Sequence, residues 1–150
     1  MVVDFKLKKA PSYRVATVAW KGPWSERRIR SQFDRIAKWA RAEGVRTGKW
    51  FFREPGPRAW EVGIELKGDA RARAPLRMKT YPSTAVVSVV FDPDVISPSI
   101  VYHAVTDWLK WRRRDKTIRS AGTYREIYDG NPWRDAKVWA RTEIQVTVRR

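Results

Sequence analysis

Runs of apolar residues alternate with two amphipathic stretches along the chain, and together they predict a mixed α+β fold. The runs Tyr13–Trp20 and Thr84–Phe91 are rich in Val, Ala and Thr and are bounded by Pro or Gly, which is typical of strands buried on both faces. Each run is followed by apolar residues at three- and four-residue spacing, which predicts a helix with one apolar face. The segments Phe5–Lys8 and Leu76–Lys79 are either the early part of these strands or separate short strands.

The two predicted helices carry start and stop signals. Ser25 is the predicted N-cap of the first helix, and Gly44 marks its end. Ser97 is the predicted N-cap of the second helix, with Pro98 at its first helical position. The basic run Lys110–Lys116 then forms the last turn and exit of this helix, where cations complement the helix dipole.

Two further strands follow each helix. Lys49–Arg53 and Glu61–Leu66 flank a turn rich in Pro and Gly, and Thr123–Tyr128 and Val138–Val146 flank a longer connection that also contains Pro and Gly. The predicted order of elements is therefore strand, helix and hairpin, repeated once.

The sequence itself echoes this repetition at an offset of about 70 residues. PSYRVATVAWKGPW is echoed by PSTAVVSVVFDPDV, and FDRIAKW is echoed by YHAVTDW. We therefore predict one domain, 1–150, with repeats at about 1–67 and 75–150 and a linker at about 68–74. The predicted fold class is α+β. It is a duplicated β-α-β-β unit with pseudo-twofold symmetry, a mainly antiparallel sheet, two helices on one side and a ligand cleft between the copies.

One acid interrupts an aromatic strand face. In the stretch GTYREIYDGNPW, Tyr124, Glu126 and Tyr128 share a face because alternate residues of a strand point the same way. When the two hairpins are aligned on their first glycines, Phe52 is the counterpart of Glu126. Equivalent strands should face each other across the join, so we expect Glu126 in a cleft opposite Phe52, with Trp50 and Tyr124 as walls.

The other candidate ligand-binding residues are aromatic. The chain has nine tryptophans, and concave ligand sites are typically lined by aromatic residues with few polar groups. Flat rings bind flat apolar molecules by burial and bind cations through their quadrupoles. Trp20 and Trp60 are expected either to reach the rim of the cleft or to pack in the core. Trp108 is expected either to pack in the core or to line the cleft. The predicted ligand-binding residues are Glu126, Tyr124, Tyr128, Trp50, Phe52, Trp20, Trp60 and Trp108.

The acid has three interpretations. Glu126 selects cationic aromatic ligands, or it is the catalytic base of a hydrolase, or it forms an ion pair with one of the many arginines, such as Arg141. In the hydrolase, Glu126 would activate water while Tyr124 or Tyr128 orients the substrate or donates a proton.

The composition bears on the partners, metals and cofactors that the protein can use and on its location. The net charge is +16, with 32 basic and 16 acidic residues, which favours either a nucleic-acid or protein partner or simply a solvated basic surface. The chain has no cysteine and one histidine, His103, so Cys-based zinc sites are excluded, and we expect no metal and no cofactor. Without a long apolar run or a signal peptide, we expect a cytoplasmic protein with no membrane partner.

Three motifs resemble the GyrI-like small-molecule-binding domains, which are related to the effector-binding domains of AraC- and MerR-type transcription regulators. VAWKGPW resembles the family's strand and Gly-Pro-aromatic turn, and FDRIAKWARAEG resembles its first helix with a glycine stop. YREIYDGNP resembles the aromatic-x-Glu-x-Tyr and Asn-Pro of the second copy. The resemblance covers nearly all of the chain, although FDPDV lacks the usual Gly-Pro turn of the second copy.

The resemblance implies a ligand cleft between the copies, with the acid at Glu126 among aromatic residues. Some family members bind hydrophobic cations as regulator domains. Some stand-alone members resemble hydrolases that open the strained cyclopropane of DNA-alkylating natural products, with the same acid helping to activate water. We therefore expect a stand-alone small-molecule-binding domain, with a hydrolase as the alternative.

Overall fold

A computed structural model of the chain describes residues 3–68 and 76–150. Within these residues, eight strands form one sheet, accompanied by two α-helices and a 3₁₀ helix. The strands are β1 (Lys6–Ala10), β2 (Tyr13–Lys21), β3 (Thr47–Gly56), β4 (Ala59–Leu66), β5 (Arg77–Tyr81), β6 (Thr84–Phe91), β7 (Ser120–Tyr128) and β8 (Thr142–Arg149). The helices are α1 (Glu26–Ala42), α2 (Pro98–Arg114) and the 3₁₀ helix Ala136–Arg141.

The sheet is antiparallel, and its strand order is symmetric about its centre. The order is β1-β6-β8-β7-β3-β4-β2-β5, so β3 of the first half pairs with β7 of the second half. β1 and β5 are separate strands, and each pairs with a strand of the other half. The predicted fold class is thus confirmed, with one more strand in each half. The repeat boundaries stay a prediction, and most of the proposed linker, 68–74, lies outside the described residues.

The helices begin and end close to their predicted signals. The Ser25 hydroxyl accepts a hydrogen bond from the Arg28 backbone N–H at 3.1 Å, and Gly44 follows α1 with a φ of 61°. Such a positive φ favours glycine. α2 begins at Pro98, and Ser97 stands at its N-cap, although its side chain makes no capping hydrogen bond with the described residues. In the described part of the chain, neither helix is long and apolar enough to cross a membrane.

Both helices pack on the same face of the sheet. Directly opposed residues of neighbouring strands share a face, and one such row crosses the six inner strands. α1 covers one end of the row with Phe33 and Ile36, and α2 covers the other end with Val101 and Val105. The row consists of Val18, Val62, Phe52, Glu126, Ile144 and Val89. Its one acid therefore lies at the centre, between the two helices.

The opposite face carries buried ion pairs beside a small apolar cluster of Val15, Phe51 and Ile127. Glu61 is only 1% exposed and accepts hydrogen bonds from Lys79 at 2.5 Å and Arg53 at 2.6 Å. Glu143 pairs with Lys8 at 3.1 Å. Burial opposes the ionisation of Glu61, but hydrogen bonds from Lys79, Tyr81 and Arg53 outweigh it and lower the pKa of this carboxyl.

The predicted strand Val138–Val146 is wrong at its start. Residues 136–141 form the 3₁₀ helix, and β8 begins at Thr142. The Asp135 carboxylate starts this helix by accepting a hydrogen bond from the Lys137 N–H at 3.0 Å. Val138 and Trp139 then pack against the core beneath α1, so the apolar residues of this segment serve a helical turn.

A substitution at Gly63 tests how closely β4 packs against its neighbours β2 and β3. A Cβ at this position would lie 2.6 Å from the Phe51 ring and 2.7 Å from the Ala16 carbonyl oxygen. We expect Gly63→Ala to lower the free energy of unfolding by about 1–3 kcal/mol, as measured by urea denaturation. Gly56→Ala is the control, because its added Cβ would have no described atom within 4 Å. Equal stability of the two variants would contradict this packing.

Glu61 should make the stability depend on pH. Because folding lowers its pKa, its ionised form stabilises the fold above its unfolded value of about 4.3. That stabilisation is lost as the pH falls through the folded pKa. We expect Glu61→Gln to flatten the decline in the free energy of unfolding below about pH 4.3, as followed by denaturation at a series of pH values. An unchanged decline would show that the ion pairs of Glu61 do not stabilise the protein.

Candidate ligand-binding site

A cleft of about 690 Å³ opens above the centre of the sheet, between α2 and the loop that precedes α1. β3 and β7 form its floor, α2 forms one wall, and the loop before α1 contributes to the other. The residues that define it are Trp24, Phe52, Trp60, Tyr102, Tyr124 and Glu126.

Strand register places the acid on the floor of this cleft. β3 and β7 pair so that Phe52 lies directly opposite Glu126, as the alignment of the two hairpins predicted. Phe52 and Glu126 thus occupy the position at which the two halves of the sheet meet. At this matched position the first half of the sheet contributes the Phe52 ring, and the second half contributes the Glu126 carboxylate.

Two tyrosine hydroxyls hold the Glu126 carboxylate. The Tyr102 hydroxyl of α2 donates to Oε1 at 2.7 Å, and the Tyr128 hydroxyl donates to Oε2. Burial and then the negative charge of Glu126 raise the pKa of both tyrosines well above the ordinary value. Both hydroxyls therefore remain protonated donors at neutral pH. The Tyr128 ring is buried against Phe33 and does not line the cleft, so it acts on the site only through its hydrogen bond to Glu126, and its role in binding stays a prediction.

No described lysine or arginine forms an ion pair with Glu126. Arg141, the partner suggested by the sequence, pairs with Asp129 at 3.1 Å. Arg125 is adjacent in β7 but points to the opposite face, where its Nη2 donates to Gln145 at 2.8 Å. Among the described residues, the ion-pair interpretation is therefore not observed, and the partly buried carboxylate meets only tyrosine donors.

Aromatic rings form the sides of the cleft. Trp24 packs edge-on against Phe52 and Trp60, with ring centroids 6.0 Å and 5.4 Å away. The Trp60 indole is fixed because its N–H donates to the Gly22 carbonyl at 3.0 Å. Trp24 itself is 62% exposed, so an aromatic surface is available to a ligand at the mouth of the cleft.

Tyrosines provide the facing side of the cleft. The rings of Tyr102 and Tyr124 lie 5.8 Å apart at an angle of 41°, and the Tyr124 hydroxyl is 3.1 Å from the Thr106 hydroxyl of α2. The cleft is thus aromatic on both sides and acidic on its floor, a combination that suits a flat or ring-bearing cation.

Three predicted site residues lie elsewhere. Trp50 is not a wall of the cleft, because α1 covers it and its ring stacks on Phe33 at 5.9 Å. Trp108 stacks on Phe5 at 5.7 Å, on the core beneath α2. Trp20 packs against the core beneath α1 and borders a different cavity. Tyr124, Phe52 and Trp60 do line the cleft, and their role in binding stays a prediction.

Sequence reasoning missed three residues of the cleft. Trp24 ends the Gly-Pro-aromatic motif, and this motif was the signal that could have identified it. Tyr102 and Thr106 lie one helical turn apart on α2 and face the cleft. Tyr102 belongs to the apolar pattern of α2, and its hydroxyl gave no separate signal in the sequence.

Comparisons of sequence find no match for this chain, whereas comparisons of structure do. A scan against protein-family models finds no match, and a search of the curated proteins finds no similar sequence. Solved structures do match. EcmrR in a cryo-EM complex with DNA has a TM-score of 0.77 at 17% identity, over 99% of this chain and 58% of that chain. The crystallised EcmrR C-terminal domain has a TM-score of 0.74 at 15% identity, over 100% of this chain and 99% of that domain.

A third solved structure is SAV2435 bound to tetraphenylphosphonium. Its TM-score is 0.57 at 15% identity, over 97% of this chain and 94% of that one. The chain spans 58% of the length of EcmrR in the DNA complex and matches the whole of its separate C-terminal domain. Together with the three sequence motifs, these matches show that the chain has the GyrI-like fold.

Proposed function

We propose that this chain is a small-molecule-binding domain that captures aromatic or amphipathic cations in the cleft around Glu126. The observation that carries the proposal is the carboxylate itself, which is partly buried among rings and forms no ion pair with a described residue. Withdrawing a carboxylate from water is costly unless it is paired. A cationic ligand would supply the missing charge.

The cleft favours a ring-bearing cation over a small inorganic one. Aromatic faces attract cations within about 6 Å of the ring centroid, and Phe52 and Trp60 present nearly parallel rings at 6.1 Å and 13°. Burial of the ligand's own rings against Trp24 and Tyr124 would add apolar contact area. The bound tetraphenylphosphonium of SAV2435, a protein of the same fold, supports this class of ligand.

The basic surface does not prevent binding of a cation. The net charge of +16 repels cations at a distance, but exposed charges are largely screened beyond about 10 Å at 0.1 M salt. Contacts inside the cleft act at shorter range. Binding of a cation by so basic a protein would therefore report the local charge of Glu126.

Ligands of equal shape and opposite charge test this proposal. We expect tetraphenylphosphonium to bind with a measurable Kd by calorimetry in 0.1 M salt and tetraphenylborate to bind more weakly at the same site. Glu126→Gln should weaken tetraphenylphosphonium binding by at least about tenfold, equivalent to about 1.4 kcal/mol, without weakening tetraphenylborate binding. Glu54→Gln removes the same charge from the exposed edge of the cleft and is the matched control.

Two results would contradict the proposal. Unchanged tetraphenylphosphonium affinity in Glu126→Gln would show that the carboxylate does not select cations. Tighter binding of tetraphenylborate by the wild-type chain would show that the overall basic charge decides the ligand.

Removing an aromatic side of the cleft gives a second prediction. Trp24 is largely exposed, so Trp24→Ala should leave the denaturation midpoint nearly unchanged. The same substitution should weaken tetraphenylphosphonium binding by about 2- to 5-fold, because one cation–π contact is worth about 0.5–1 kcal/mol at exposed sites. Trp111→Ala removes an equally exposed tryptophan outside the cleft and should leave the affinity unchanged.

A hydrolase is the second candidate, and one observation favours it. Glu126 accepts hydrogen bonds from two tyrosines, whereas an ionised carboxylate has about four acceptor sites. A water could therefore also bind and be activated. Incubation with a strained cyclopropane-containing electrophile distinguishes the two candidates. A hydrolase should turn it over and lose nearly all of its rate in Glu126→Gln, whereas a binding domain should show no turnover.

A further inference from the structure

We propose that the C-terminal end of α2 and the adjoining strand ends bind single-stranded nucleic acid. This surface, the α2-end patch, combines six exposed cations with one exposed tryptophan, Trp111. The cations are Arg113, Arg114, Lys116, Arg119, Arg149 and Arg150.

Backbone hydrogen bonds bring three separate segments into the patch. After α2 ends, the Lys116 N–H donates to the Arg113 carbonyl at 3.3 Å and folds the exit loop back onto the helix. The Arg119 N–H then donates to the Arg149 carbonyl at 2.7 Å. The end of α2, the start of β7 and the end of β8 therefore present their cations together.

The cations of the patch are not neutralised by ion pairs with acids among the described residues. None of its six cations forms an ion pair with a described acid, and the neighbouring Asp115 is already bound by Arg112 at 3.1 Å and by Thr117. Asp107 is one further acid beside Trp111. The helix dipole favours cations only in the last turn of α2. It gives no reason for Arg119, which lies directly before β7, or for Arg149, the last residue of β8.

Trp111 indicates the kind of anion. Its side chain is 65% exposed, and the Arg114 guanidinium lies 5.6 Å from its ring centroid. Exposed rings within a basic surface stack on unpaired bases, while arginines bind the phosphates of the backbone. Duplex bases are already stacked on each other, so Trp111 favours a single strand.

An anionic membrane fits the patch less well. A helix that binds at a membrane surface inserts a broad apolar face, and the apolar face of α2 is buried in the core through Val101, Val105 and Leu109. Trp111 alone would provide little apolar area for insertion.

The experiment measures binding of a fluorescein-labelled oligo-dT of about 12 nucleotides, within the site size of single-strand-binding folds. Anisotropy at several salt concentrations gives the dependence of log Kd on log salt. We expect the variant Arg113→Gln, Arg114→Gln, Lys116→Gln to reduce the salt slope by about 2, because each phosphate contact on a single strand contributes about 0.7. Trp111→Ala should weaken binding roughly tenfold with an unchanged slope.

The matched control removes three exposed cations from α1, with Arg27→Gln, Arg35→Gln and Lys38→Gln. It has the same net charge as the patch variant and should bind oligo-dT almost as well as the wild type. Tetraphenylphosphonium binding should survive in the patch variant, so this inference and the proposed cation site fail independently.

Several outcomes would overturn the inference. Equal losses in the two triple variants would mean non-specific attraction to the net charge. Tighter binding to a duplex of the same length, or an unaffected Trp111→Ala, would exclude base stacking. Absence of oligo-dT binding, with or without binding to phosphatidylserine vesicles, would exclude a nucleic-acid site.

Discussion

The antiparallel pairing of β3 with β7 is the constraint on which the rest of the structure depends. It joins the two halves of the sheet and places Phe52 opposite Glu126. Because side chains alternate along a strand, a slip of one residue in β7 would send Glu126 to the opposite face and bring Arg125 into the aromatic cleft. The charged network on one face and the helix-covered core on the other therefore fix the register together.

The acids on the two faces of the sheet have different partners. Glu61 and Glu143 precede Val62 and Ile144, the strand partners of Phe52 and Glu126, and each is held by a lysine. Glu126 meets only tyrosine hydroxyls on the helix face. Its lack of an ion pair among the described residues follows from the alternation of β7, which turns the adjacent Arg125 away. The alternation of side chains along β7 therefore leaves the Glu126 carboxylate without an ion-pair contact to the described lysines and arginines.

Sequence patterns were sufficient for the fold and for the central pair of residues. Period-two alternation predicted the face of Glu126, and the repeated order of elements predicted Phe52 as its partner. Sequence patterns could not distinguish Trp50 from Phe52, which share a face of β3, because only the position of α1, whose Phe33 stacks on Trp50, decides which ring is covered. Tyr102 was missed for the same reason, since its contact with Glu126 depends on how α2 packs on the sheet. The 3₁₀ helix before β8 depends on a side-chain cap that period-two patterns do not register.

The position of a bound cation tests the central claim most directly. Tetraphenylarsonium has the shape and charge of the phosphonium ion, and its arsenic atom is located by anomalous X-ray scattering in a crystal soaked with it. The account predicts one strong anomalous peak between α2 and the loop before α1, with the ligand's rings against Trp24 and Tyr124 and the cation beside the Glu126 carboxylate. A peak elsewhere on the protein, or an empty cleft at saturating ligand, would contradict it.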